Sequence, residues 1–235
     1  MDSNTGKVTR ILSPRQEATC KWASDLVARG EFVVLDTETT GLETDDGICD
    51  LAIIGADRRV LFNQMVNPGR RISESARLVH GISDEEVARA ASLALWWPRV
   101  YEILRSVKTI VTYNAKFDLR MLRQSLRAVG IRLLAGKNLA PASFESQGLA
   151  VLLEVEWQCL MEKYAYGFGE RRTSSFKRGH VSLETACKRH VVMPDSYQWH
   201  RALGDALAAY DLLKRLAEMY DEHIRGQQDY GIVDL

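Results

Sequence analysis

The spacing of apolar positions changes several times along the chain, and each change marks an element. Residues 14–29 place Ala18, Trp22, Ala23, Leu26 and Val27 at helical intervals, which predicts an amphipathic helix stopped by Gly30. Residues 31–36, EFVVLD, are apolar without alternation, as in a strand covered on both faces. CDLAIIGA (49–56) and RVLFNQMV (59–66) read as the next two strands, and the short link Asp57-Arg58 makes them an antiparallel hairpin. Helices follow. Ser83-Asp84-Glu85-Glu86 has the form of a capping box with Ser83 as N-cap. Pro98 suits the first turn of a helix ending near Arg105.

KTIVTYN (108–114) reads as a strand, and residues 115–130 as an amphipathic helix closed by Gly130. LAVLLEV (149–155) is the expected last strand, with a helix over 156–167. A basic loop spans 169–180, Ser182 caps the segment LETACKRHV, and a long helix covers 201–220 before a polar tail. A meander of strands followed by strands alternating with helices indicates an α/β fold with a mixed, helix-covered sheet.

Composition narrows the function classes. The 31 basic and 31 acidic residues leave zero formal net charge, so any nucleic-acid contact must come from a local patch. Cys20, Cys49, Cys159 and Cys187 form no CxxC pair, which argues against a finger-type zinc site and for reduced thiols in a cytoplasm. No signal-peptide pattern and no membrane-length apolar run is present.

The chemistry lies in the acids. Asp36 and Glu38 are two apart on a strand, so both side chains point to one side. Paired carboxylates losing water repel each other, and a hard divalent cation would relieve both costs. Asp118 falls on the apolar face of the 115–130 helix, and Asp205 lines up with Ala209, Leu212 and Leu216 on the last one. Charged Asp is almost never buried without a partner. Four carboxylates converging on a cation site is the simplest account. His200 stands five residues before Asp205. It can reach the same place from the loop ahead of the helix, where it would be suited to general-base work. His80, His180, His190 and His223 read as ordinary surface or cap residues, and Trp96-Trp97 as packing.

LDTETTGL, LVHGIS, YNAKFDLRML and HRALGDALAAYDLL occur in that order. Together they resemble the motifs of the DEDDh (DnaQ-like) 3′→5′ exonucleases of the proofreading type, over roughly residues 31–220. The resemblance implies an RNase H-like fold, a five-stranded mixed sheet flanked by helices on both faces. Residues 1–30 would then be an N-terminal extension with one helix, and 221–235 a polar tail. It further implies that Asp36, Glu38, Asp118 and Asp205 hold two Mg²⁺ or Mn²⁺ ions, with His200 completing the catalytic set. The implied partners are 3′ ends of single-stranded DNA or RNA, DNA being favoured, and nucleoside 5′-monophosphates would be released. An exoribonuclease of the same family is the alternative. A silent nucleic-acid-binding subunit should have lost one of the five groups, and all are present.

By position, Thr39, Thr40, Gly41, Leu42, His80, Ile82, Asn114 and Phe117 resemble residues around the terminal nucleotides. Arg171, Arg172, Lys177 and Arg178 are candidates for a clamp on the phosphate backbone. No membrane contact is implied. Some family members pair, so a homodimer is compatible, and no polymerase partner is specified. The segment Glu156-Trp157-Gln158-Cys159 departs from the Asp-Thr pair that many relatives have there.

Overall fold

The computed structural model describes residues 11–130, 151–170, 179–192 and 197–229. The basic residues Arg171, Arg172, Lys177 and Arg178 lie outside these ranges.

Helix α1 (Pro14–Arg29) starts from Ser13, whose backbone N–H donates to the Gln16 side chain at 3.0 Å. It ends at Gly30 in the left-handed region, φ 67°, a conformation that glycine adopts without steric cost. The sheet contains β1 (Phe32–Thr39), β2 (Ile48–Gly55), β3 (Val60–Met65), β4 (Thr109–Thr112) and β5 (Glu156–Cys159). Its order is β3-β2-β1-β4-β5. β1 pairs antiparallel with β2, and β2 with β3, whereas β4 runs parallel to both β1 and β5. The helices are α2 (Glu74–His80), α3 (Asp84–Ala88), α4 (Leu93–Arg105), α5 (Ala115–Ala128), α6 (Leu160–Phe168), α7 (Leu183–Arg189) and α8 (Ala202–Asp229). This is the five-stranded RNase H-like arrangement.

Strand alternation builds a core on each face of the sheet. Phe32 and Val34 of β1, Ala52 and Ile54 of β2 and Val111 of β4 pack against α1, α6, α7 and α8. The intervening residues Val33, Leu35, Leu51, Ile53 and Ile110 pack against α4 and α5. The most extensive helix–helix contact joins α1 to α8. Trp97 is fully buried in the α4–α5 layer and Trp96 meets Phe62 edge-on, so both tryptophans pack rather than stack on a ligand.

Three expectations need correction. LAVLLEV is not the last strand: residues 151–154 are helical, and Val151 and Leu152 fill the α4–α5 core. β5 falls on Glu156–Cys159 instead, paired to β4 in the register Thr109↔Glu156. An apolar run that short does not distinguish a buried helical turn from a strand. Pro98 lies inside α4, which begins earlier, after the N-cap Ser92. Finally, α8 continues to Asp229, past the expected end at 220.

Candidate active site

Asp36 and Glu38 sit on the C-terminal half of β1, on the side that Val34 presents to α8. Asp205 belongs to the first turn of α8. One carboxylate oxygen from each of Asp36, Glu38 and Asp205 lies within 4.8 Å of the others. All three side chains are half-buried. Burial is the main cause that raises the Asp36 carboxyl well above its usual range, followed by the charges of Asp118, Asp205, Glu38 and Asp50. Burial, then Asp205 and Asp50, lift Glu38 to about 8, and Arg201 offsets little of this. Asp205 is raised chiefly by burial. Three oxygen donors crowded at this distance fit a hard divalent cation, whose charge would reverse these shifts.

Asp118 reaches the same strand end from the opposite face of the sheet. It is almost fully buried, at 3% exposure. The Thr37 hydroxyl, which points away from Asp36 and Glu38 by strand alternation, donates to its Oδ1 at 2.9 Å. Burial raises Asp118 to about 7, against the pull of Thr37. Its charge is felt at Asp36 and Glu38, although it is outside the group of three.

His200 precedes α8 in a turn, with a left-handed φ of 58° and an exposed side chain. Its backbone N–H donates to Asp205 Oδ1 at 3.3 Å. Two residues that the sequence reading missed hold this turn. Asp50, on β2 opposite Glu38, is 2% exposed and accepts from Arg201 Nε at 3.0 Å and from the Ala202 backbone N–H at 3.4 Å. A Cβ on Gly204 would lie 2.0 Å from the Gln198 carbonyl oxygen, so this turn of α8 can pack on the loop only with glycine there. The available signal was one acid inside an otherwise apolar strand, CDLAIIGA.

The exonuclease family profile, RNase_T, matches residues 33–213. The chain belongs to this exonuclease family. Its relatives place it with the DEDDh, proofreading-type members. It is 27% identical over 201 residues to exonuclease CP81 of Escherichia phage 186, covering 84% of this chain and 91% of the phage protein. It is 33% identical to a DNA polymerase III subunit epsilon-like protein of Rhodobacter capsulatus, covering 86% of this chain but only 25% of that protein. A DNA polymerase III subunit epsilon of Rickettsia felis is 28% identical, over 86% of this chain and 78% of the relative. Among solved structures, Exonuclease X in complex with 5′ overhanging duplex DNA superimposes with a TM-score of 0.52 at 23% identity, covering 82% of this chain and 99% of that one. E. coli Exonuclease I with a dA16 oligonucleotide gives 0.54 at 16% identity, over 86% and 45% of the two chains.

In this exonuclease-family chain, the residues expected around a terminal nucleotide separate into two groups. Leu42 is 70% exposed, Asn114 is exposed, and Phe117 is half-buried. Leu42 and Phe117 are linked through Arg120, whose Nη1 donates to the Leu42 carbonyl at 3.0 Å and whose guanidinium lies 5.4 Å from the centre of the Phe117 ring. Thr39, Thr40, His80 and Ile82 are buried and have internal partners. The Thr39 hydroxyl donates to the Gly41 carbonyl at 2.9 Å. The Thr40 hydroxyl donates to Asp46 Oδ1 at 2.6 Å. His80 Nε2 lies 3.2 Å from the Thr39 carbonyl, and its Nδ1 accepts from the Ile82 N–H at 3.0 Å. Burial holds this imidazole below its usual range, in the neutral form. Ile82 packs with Cys49, Ile72 and Val87. A Cβ on Gly41 would lie 2.4 Å from Asp46 Oδ2, so a larger residue there must displace the carboxylate that holds Thr40. His190 and His223 are buried rather than superficial, at 8% and 3% exposure.

The three gathered carboxylates are half-buried and Asp118 is almost fully buried. A cleft of about 570 Å³ occupies another flank of α5, between Lys116, Leu119, Trp157 and Glu162, and contains none of them. Among the described residues, no helix is long and apolar enough to cross a membrane.

Proposed function

We propose that this chain is a divalent-metal-dependent 3′→5′ exonuclease. On this reading it hydrolyses the terminal phosphodiester of single-stranded nucleic acid, DNA in preference to RNA, and releases nucleoside 5′-monophosphates. The observation that carries the proposal is the gathering of Asp36, Glu38 and Asp205 within 4.8 Å, with Asp118 electrostatically linked through Asp36. These four would hold two Mg²⁺ or Mn²⁺ ions. Bound ions of this kind stabilise charge on a reacting phosphate and make water a better nucleophile.

The remaining work falls to the chain's own groups. His200 is exposed at the rim beside Asp205, where its imidazole can take the proton of the attacking water. The turn that carries it is tied to β2 by Asp50, which accepts from Arg201 and from the Ala202 N–H. Leu42 and Phe117 offer apolar faces to an unpaired terminal base, and Asn114 a polar edge beside them. A reacting phosphate must reach half-buried acids, which an unpaired, splayed strand end does more readily than a paired one. The names of the epsilon-type relatives favour DNA. They also make a polymerase the partner class to look for, in the cytoplasm.

The test uses matched 5′-labelled DNA and RNA oligonucleotides with Mg²⁺ or Mn²⁺, and reads the product ladder. A ladder shortening from the 3′ end, faster on DNA and lost in Asp36→Ala, is the expected outcome. Equal degradation by Asp36→Ala would refute the assignment. Faster loss of RNA would move the substrate to the exoribonuclease alternative.

A further inference from the structure

Helix α5 carries Asp118 towards the acids with one face and a row of cations with another. Lys116, Arg120, Arg123 and Arg127 follow at offsets of four, seven and eleven residues. At ~100° per residue these fall within an arc of about 60°. Lys116, Arg120 and Arg127 are exposed and Arg123 is half-buried. Asp118 is the only acid on the helix, and it is buried on the other side.

This row is unlike an ordinary solvated face. Such faces are usually laced with opposite charges one or two turns apart, as α8 is, where Arg215 reaches Glu218 at 3.3 Å and Glu222 at 2.8 Å. Like charges at that spacing weaken a helix by ~0.2–0.5 kcal/mol per pair, so local stability does not account for the pattern. Lys116 is paired with Glu162 at 2.8 Å. Among the described residues, the ion pairs engage none of Arg120, Arg123 or Arg127. In a chain with no net charge, this is a concentrated local excess. It is also joined to the loop that follows β1, the strand of Asp36 and Glu38. Arg120 Nη1 donates to the Leu42 carbonyl at 3.0 Å, and its guanidinium lies 5.4 Å from the centre of the Phe117 ring.

We infer that the Lys116–Arg120–Arg123–Arg127 face of α5 is the track for the phosphate backbone of the strand whose 3′ end enters the site. The inference rests on the proposed function for its substrate, and it names the surface that holds the strand away from the reacting bond. The row spans about 16 Å, room for at most roughly five phosphates at ~3.4 Å of axial spacing per strand. The track therefore serves nucleotides upstream of the terminal one. It discriminates by charge and not by base.

The test compares wild type, Arg123→Gln/Arg127→Gln and Arg123→Lys/Arg127→Lys in the full chain. Binding to fluorescein-dT12 is followed by anisotropy in Ca²⁺ from 0.05 to 0.3 M KCl. Release of mononucleotides from dT12 and from a dinucleotide is measured in Mg²⁺. Each lost phosphate contact in a single strand should reduce the slope of log K against log salt by about 0.7. The Gln pair should therefore flatten it by about 1.4, weaken dT12 binding roughly 10- to 30-fold at 0.1 M salt, and erase most of the KM advantage of dT12 over the dinucleotide. The Lys pair should keep the wild-type slope, which distinguishes lost charge from a disturbed fold. A Gln pair with the wild-type slope and KM overturns the track and returns the row to a solvated face. Stripe-dependent binding by a wild type that releases no mononucleotide would leave the track standing and refute the exonuclease reading instead.

Discussion

Removing the negative charge of Glu38 should stabilise the metal-free protein and weaken it as a metal binder. The carboxyl is held at about 8, against an ordinary 4.5, by burial and by Asp205 and Asp50. The folded form thus binds this proton more tightly than the unfolded chain. Stability is fullest below 4.5, and it is lost as pH rises towards 8. At ~1.4 kcal/mol per tenfold change in the equilibrium, the cost is under 1 kcal/mol at pH 5 and about 3 kcal/mol at pH 7. Glu38→Gln keeps the shape and removes the titration. At 2–4 °C per kcal/mol for a chain of this size, its melting temperature in EDTA should exceed wild type by roughly 6–12 °C at pH 7 and by little at pH 5. Saturating Mg²⁺ should reverse the order, because a ligand that binds only the folded form stabilises it in proportion to its affinity. Thermal melts from pH 5 to 8, with EDTA and with Mg²⁺, give all four comparisons. Parallel wild-type and Glu38→Gln curves in EDTA would refute the claim that crowded carboxylates destabilise the empty site.

Three substitutions examine the turn that carries His200. His200→Ala should lower turnover roughly 10²- to 10⁴-fold with nearly unchanged half-saturation by Mg²⁺; a loss confined to metal binding would speak against the general base. Asp50→Asn leaves Arg201 facing a neutral partner, and breaking a buried pair costs ~3–5 kcal/mol. With Arg201 one-quarter exposed, we expect the lower end by urea denaturation, and a fall in kcat larger than the change in KM; full activity would show that the pair does not position His200. Gly204→Ala places a methyl 2.0 Å from the Gln198 carbonyl and should cost ~1–3 kcal/mol with reduced activity. A wild-type melt and rate would mean that the turn yields freely.

The parts of this molecule governed by period were readable in the chain. The unbroken apolar stretch of β1 announced a strand covered on both faces, and the stripes of α5 and α8 showed Asp118 and Asp205 on apolar faces. What depended on distant pairing was not readable. β5 is a short, half-exposed edge strand whose place is set by Thr109–Thr112 alongside, so its own residues carry little strand signal. Asp50 and Arg201 are 151 positions apart, and nothing near either indicates the other. The separation of Asp118 from the group of three follows from Thr37 facing the opposite layer, a matter of sheet geometry. Thr40, His80 and Ile82 resembled substrate contacts by position, but each is committed to an internal neighbour.

The middle of β1 also guards against its own misfolding. Sliding the strand by one position along β2 would turn Asp36 and Glu38 into the oily layer beneath α4 and α5, and would leave Leu35 in their place opposite Asp205. Two carboxyl groups stranded in hydrocarbon without partners, even when protonated, make such a slipped sheet costly. The same pair of side chains that equips the molecule for chemistry therefore proofreads how its central strand is laid down.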